Sequence, residues 1–370
     1  MKCYICESEL NSNNQTEEHI IINAAGGRLK SKDLICIKCN ISLGEKIDSA
    51  LANQINGLAN ILMIKRHRGE PQPLIGQKKS TGQKYKINYG GKPELHNPII
   101  VESTEGNTTN ISITARNAKE MRNILSGYLK KHPNFNVDEA MKSAKWLKES
   151  FKEPLNFQTE IGGVEVFKAV CKCAINFFIF NKGNHMHIKH LIPYIKSERE
   201  MDDVVWFHYQ DNLYELLPDE SSHVLHLVGD PKEAILYCYV DYFNTYKYLV
   251  LLNQEYNGPN IKETYYYDLI NTQINTREIR VNYDRKTLLS FFKNKDAEPF
   301  EKVKESLGHS IKLGLKRQSE FQRELVITKA IQNTLKKHSS ATMLTKEIFE
   351  ETMSEILDNL PPILQKELLD

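Results

Sequence analysis

The stretch that decides the fold runs from Cys3-Tyr4-Ile5-Cys6 through Thr16-Glu17-Glu18-His19-Ile20-Ile21-Ile22 and Gly26-Gly27 to Asp33-Leu34-Ile35-Cys36-Ile37-Lys38-Cys39-Asn40. Each Cys-x-x-Cys pair offers two thiolates from one tight turn, so Cys3, Cys6, Cys36 and Cys39 together make a tetrahedral Zn2+ site of the closed, structural kind. Between the pairs, Thr16 to Ile22 reads as a short strand entering a glycine-containing loop, and Asp33 to Ile37 reads as a returning strand. After Cys39 the apolar residues Ile41, Ile47, Leu51, Ile55, Leu58, Ile61 and Leu62 recur mostly at helical spacing. Two strands and a helix stapled by zinc follow. A unit of roughly 60 residues buries little apolar surface, and structural zinc contributes on the order of 10 kcal/mol in small peptides.

A zinc ribbon that only binds, or only holds the N-terminus, would satisfy the cysteines alone. The residues between and just after them add a base, a carboxylate and an amide. With Glu18-His19-Ile20, Gly26-Gly27-Arg28 and Cys39-Asn40 followed by Gly44 and Asp48, residues 1–65 resemble the HNH endonucleases of the ββα-metal fold. The resemblance implies that His19 is the general base activating water. It also implies that Asn40 binds one divalent cation beside the scissile phosphate, with Glu18 as the second ligand. Many members carry an Asn that pins the loop before the second strand; the nearby polar candidates here are Ser31 and Asp33. Glu18 stands where Asp is commoner. Asp48 reads as an exposed helical acid, and Gly44 costs helix propensity where a close backbone or phosphate approach would need room.

The chemistry is coherent by itself. An imidazole, with an ordinary pKa of about 6.5, accepts a proton from water at neutral pH. Mg2+ or a similar hard cation neutralises charge developing at a phosphodiester and prefers oxygen ligands, so the catalytic cation is distinct from the thiolate-bound zinc.

The chain has 370 residues, 40% hydrophobic and 26% charged, which is ordinary for a soluble globular protein of about two to three domains. No apolar run approaches the roughly 20 residues needed to span a bilayer, and Met1-Lys2-Cys3-Tyr4 lacks a signal-peptide core, so no membrane association and a cytoplasmic location are expected. Cys171, Cys173 and Cys238 sit in apolar surroundings and read as buried thiols, in keeping with a reducing compartment. A net charge of +2 conceals an uneven distribution: Ile61 to Pro93 holds eight Lys or Arg against the single acid Glu70. Arg28, Lys65, Arg66, Arg68, Lys78 and Lys79 are the candidate nucleic-acid contacts. Residues 196–241 carry eleven acids against three Lys or Arg and are unsuited to that role.

The remainder reads as α+β. A hairpin is expected from Ile99-Ile100-Val101 and Ile111 to Thr114, then helices over Ala118 to Lys131 and Val137 to Lys152. An apolar helix over Val164 to Phe180 precedes strands near Val204-Phe207, His223-Val228, Ile235-Val240, Tyr246-Leu252, Thr264-Leu269 and Glu278-Asn282. Short turns between them imply an antiparallel sheet packed on that helix. Helices over Lys304 to Lys337 and Thr345 to Asn359, stopped by Pro361-Pro362, close the chain. His185-x-His187-x-x-His190 reads as loop histidines, and Tyr237, Tyr239, Tyr242, Tyr246, Tyr248 and Tyr265-Tyr266-Tyr267 as sheet faces and core.

The expected organisation is therefore a ββα-zinc nuclease module at 1–65, then a basic linker, hairpin and helices at 66–152. An α+β recognition, sensor or assembly domain at 153–295 and a helical segment at 296–370 follow. The expected activity is metal-dependent hydrolysis of phosphodiesters in DNA. By analogy it serves a defence or restriction-type effector, with a partner protein, and cutting both strands favours a homodimer. A zinc-stapled nucleic-acid-binding adaptor without activity, and an RNA-cleaving toxin using the same site, are the alternatives.

Overall fold

The computed structural model describes residues 1–370 except 92, 107, 131, 134, 147–152, 211, 296–298, 341 and 361–370. The expected helix ends at Lys131 and Lys152, the residues Lys92, Asn107, Asn134 and Lys148, and the Pro361-Pro362 stop lie outside the described residues. Two compact units are present, one formed by Met1–Pro71 with Glu160–Asp370, the other by Gln72–Thr159.

In the first unit, β1 (Glu18–His19) pairs antiparallel with β2 (Lys30–Ser31), in the register Glu18↔Ser31 and His19↔Lys30. The return strand thus lies earlier than the expected Asp33 to Ile37. Leu34 and Ile35 are instead buried anchors ahead of the helix, because the second cysteine knuckle holds them there. Two glycines permit the loop between the strands. Gly26 adopts φ 80°, and a side chain on Gly27 would place its Cβ 1.8 Å from the Ile21 carbonyl oxygen. Next come α1 (Ile37–Leu43), a π-helical turn (Gly44–Asp48) and α2 (Ser49–Ile61). Leu43, Ile47, Leu51, Ile55 and Leu58 face inward along this run.

The second unit is largely strand. β3 (Leu74–Lys78), β4 (Lys84–Ile87), β5 (Pro93–Leu95) and β8 (Leu155–Asn156) form a sheet ordered β5-β4-β3-β8. The anticipated hairpin is β6 (Ile99–Glu105) with β7 (Thr108–Thr114). Helices α3 (Ala118–Leu129) and α4 (Val137–Ser143) start at Asn117 and Asn136, whose side chains cap free backbone N–H groups.

The chain re-enters the first unit with α5 (Val164–Phe180), whose limits are those the apolar run predicts. After a 3-10 turn (His185–Leu191) and α6 (Ile192–Ile195) comes an antiparallel six-stranded sheet. Its strands are β9 (Val205–Phe207), β10 (Ser222–Asp230), β11 (Ile235–Tyr242), β12 (Tyr246–Asn253), β13 (Ile261–Asp268) and β14 (Gln273–Asn275), in the order β14-β13-β10-β11-β12-β9. The expected strand at Glu278-Asn282 is absent. Ile279 and Val281 are buried, but Arg280 N reaches Leu213 O at 2.7 Å and no ladder forms. Alternation there records one-sided burial, and β14 takes the sheet edge instead.

Both faces of this sheet are covered. Val224, Tyr237, Tyr239, Leu249 and Tyr266 pack with Ile279, Val281 and α7 (Arg285–Lys293). Leu227, Cys238, Tyr242, Tyr248 and Val250 pack on α5, and that same core continues without a break into Ile21, Leu51, Ile55 and Leu62 of the N-terminal segment. The cysteine-bearing segment is therefore built into the sheet body. Polar bonds reinforce the junction: Gln54 donates to Tyr248 Oη at 2.8 Å, and His223 Nε2 donates to Ala25 O at 2.8 Å. The long α8 (Pro299–Lys337) reaches the end of α2, where Arg317 and Gln318 donate to the carbonyls of Leu62 and Ile61, and α9 (Lys346–Asn359) packs on α8.

Candidate active site

Four sulfurs converge first. The Cys3 knuckle is closed by Cys3 N to Ser8 O and Glu7 N to Cys3 O, both 2.8 Å, and Tyr4 N reaches Leu34 O beside the second knuckle. Cys36 is the N-cap of α1, which turns Cys39 back toward it. All four Sγ atoms lie within 4.8 Å of one another, and Cys6 and Cys36 are separated by 3.8 Å. Zinc–sulfur bonds of about 2.3 Å give a tetrahedron with edges of about 3.8 Å, so the cluster fits structural zinc. Burial raises the thiol pKa values of Cys3 and Cys39, a balance that a bound cation reverses. Among the described residues these cysteines are the only group of three or more His, Cys, Asp or Glu with converging ligand atoms, so His185, His187 and His190 hold no such centre. They lie in the 3-10 turn, with the His187 ring against Tyr256.

Beside the staple, Glu18, His19, Asn40, Gly44 and Asp48 line one cleft of about 290 Å3. His19 ends β1 half-buried, and its Nε2 is shielded from solvent without a hydrogen-bond partner. Burial, then the neighbouring Lys30, His67 and Arg68, lower its pKa against the opposing pull of Glu17. The ring is therefore neutral at pH 7 and able to accept a proton. Asn40 lies in the first turn of α1 and donates through Nδ2 to Thr16 Oγ1 at 3.2 Å, which commits the donor end of the amide and not the oxygen a hard cation would take. A Cβ on Gly44 would meet no protein atom within 4 Å, so this glycine borders open cleft.

The carboxylates differ from expectation. Glu18 is 4% exposed; its Oε1 lies 2.6 Å from Lys172 Nζ and accepts from Asn176 Nδ2 at 3.1 Å, so that oxygen is committed to α5. Asn176 in turn accepts from Tyr4 Oη at 2.7 Å. Asp48, expected as an exposed helical acid, lines the cleft with Asn40, Gly44 and Ala52, every fourth residue of one helical face, and ends a π-helical turn, a distortion that recurs at functional sites. Its Oδ2 is 2.6 Å from Lys172 Nζ, while its buried Oδ1 has no partner. Burial works against the Lys172 ammonium, but Asp48 and Glu18 outweigh it and hold its pKa above the ordinary lysine value. One ammonium thus faces two carboxylates. The surplus negative charge and the unpartnered Asp48 oxygen, with the Asn40 amide on the same cleft, suit a hard divalent cation that keeps several waters.

Asn23, in the loop between β1 and β2, pins the chain in a way that the nearby Ser31 and Asp33, neither of them the Asn common in the family, did not suggest. Its Oδ1 accepts from His67 N at 2.9 Å and its Nδ2 donates to Arg68 O at 3.2 Å, fastening the chain after α2 beside His19. Ser31 Oγ only accepts from Asp33 N. Of the expected nucleic-acid contacts, Arg28 donates to Lys65 O at 3.0 Å and Arg66 to Asn56 Oδ1 at 3.1 Å, which makes both of them staples of this loop. Lys65 and Arg68 are exposed. Lys78 and Lys79 belong to the second unit, where they line a separate cleft with Lys84.

Sequence reading left Asp48 as an exposed helical acid and passed over Asn23, Lys172 and His67. The spacing Lys168, Lys172, Asn176 was the available signal for Lys172: polar residues every fourth position put one polar stripe on an otherwise apolar helix. Lys168 continues it, pairing with Glu165 and Glu200 at 3.0 Å.

Residues 3–56 match the family model of the HNH endonucleases. No curated protein and no solved structure matches the chain.

Proposed function

We propose that this protein is a metal-dependent endonuclease that hydrolyses phosphodiester bonds in DNA. The observation that carries the reading is one cleft lined by His19, Asn40 and Asp48, in which His19 Nε2 and Asp48 Oδ1 are buried without a partner. In this mechanism His19 accepts the proton of the attacking water, and its neutral state under the positive charges around it suits that task. Asn40 and Asp48 would hold the divalent cation, Mg2+ or a similar ion, which when bound neutralises charge growing on the phosphate oxygens. Glu18, the second ligand of the sequence reading, acts here as a positioning residue. Through Lys172 and Asn176 it fixes the end of β1 and the orientation of Asp48. Lys65 and Arg68 supply positive charge for flanking phosphates.

The continuous core between the cysteine-bearing segment and the sheet body supports a role for that body in deciding when or on what the site acts, as in defence or restriction-type effectors. A homodimer and a partner protein would fit such a role.

The test is cleavage of plasmid, single-stranded DNA and tRNA by the full chain with Mg2+ or with EDTA, beside His19→Ala. Cleavage of DNA that needs the cation and falls by about 10²–10⁴-fold in His19→Ala is expected. Cleavage confined to tRNA would favour an RNA-directed toxin. Binding without cleavage would favour a zinc-stapled adaptor, and cleavage that survives EDTA or the His19 substitution would refute the mechanism.

A further inference from the structure

The loop that Asn23 holds brings a second imidazole to the site, from outside the segment matched by the family model. The rings of His19 and His67 have centroids 6.0 Å apart and planes inclined by 60°, so they meet as a tilted, unstacked pair. His67 is exposed, and its backbone is fixed by Asn23, a residue that itself lines the cleft. The loop is tied at three successive points: Arg28 to Lys65 O, Asn23 to His67 N and Asn23 to Arg68 O. These ties fix the backbone on both sides of the imidazole. We propose that His67 is a second catalytic imidazole, giving a proton to the departing oxygen of the phosphodiester while His19 takes one from the attacking water.

This rests on the endonuclease reading and deepens it. The water oxygen forms a bond to phosphorus and its proton passes to His19. The bond from phosphorus to the departing sugar oxygen breaks, the electron pair stays on that oxygen, and His67 protonates it. The two imidazoles finish with protonation states exchanged and reset through solvent.

The experiment compares the full-length protein with His67→Ala, His67→Gln and His19→Ala. The substrates are a Mg2+-supplied DNA duplex whose cut position has been mapped and the same duplex with sulfur replacing the departing oxygen. A thiolate leaves without needing a proton. His67→Ala and His67→Gln are expected to lose about 10²–10⁴-fold on the oxygen ester and to regain most of the wild-type rate on the sulfur ester, whereas His19→Ala loses on both. Equal losses on the two substrates, or no loss on the oxygen ester, would overturn the assignment and leave the endonuclease standing. Failure of the wild type to cut either duplex would sink both.

Discussion

Replacing Lys172 by Met tests the junction between the cleft and the sheet body. Lys172 is 2% exposed and lies 2.6 Å from both Glu18 and Asp48, so Lys172→Met strands two carboxylates against an apolar side chain. Removing one partner of a buried ion pair costs about 3–5 kcal/mol, a large part of the roughly 5–15 kcal/mol by which domains are stable. The cost is unequally shared. The Asp48 side chain is 18% exposed and can recover water, whereas Glu18 at 5% cannot. Adding Glu18→Gln removes that charge and leaves an amide oxygen for Asn176, so the double variant should recover about 2 kcal/mol relative to Lys172→Met. Guanidinium unfolding in saturating zinc reads this as a midpoint that falls and then partly returns, with an unchanged slope. A loss below about 1 kcal/mol for Lys172→Met, the range of an exposed pair, would refute the reasoning, as would a double variant no more stable than the single one.

Three further outcomes follow from the same geometry. Cys36→Ser should abolish zinc binding, measured by metal content, and should lower the unfolding transition of the whole first unit, because the staple and the sheet share one core. Asp48→Asn should raise the Mg2+ concentration for half-maximal cleavage by at least about tenfold, while His19→Ala lowers the rate without moving that concentration. Burial lowers His223 to about 4. Its unfolded value of about 6.5 is higher, so the unfolded chain binds more protons between these values: stability is full above pH 6.5, declines as pH falls, and levels off below pH 4. The loss is on the order of 3 kcal/mol for His223, and denaturant midpoints of His223→Gln should show a shallower acid limb; His208 and His226, also lowered to about 4, supply the remainder.

Much of the site was legible because its signals are local. Two Cys-x-x-Cys turns need no partner from elsewhere to declare a metal, and a histidine between them at the end of a short strand is positioned by the same few residues. The limits of α5 were readable because a largely apolar run of that length, interrupted only by Glu165, Lys168, Lys172 and Asn176, needs burial on most of its faces. Glu278-Asn282 misled because alternation reports which residues face a core and not whether a neighbour strand is there to pair. Asp48 misled because its spacing from Asn40 and Gly44 shows that they share one helix face and not that this face borders a cleft.

By itself the sequence determined the four-cysteine cluster that fits zinc, the presence of His19 and Asn40 beside it, and an antiparallel sheet laid on an apolar helix. Tertiary structure decided what the carboxylates do. Lys172 and Asn176 lie more than a hundred residues beyond Glu18, and only the packing of α5 against β1 and the π-helical turn brings an ammonium between Glu18 and Asp48. It likewise decided that His67 stands beside His19. Whether a polar side chain serves as ligand, base or brace depends on which charges lie within a few ångströms of it in a water-poor site, and those charges come from chain segments that local spacing cannot connect.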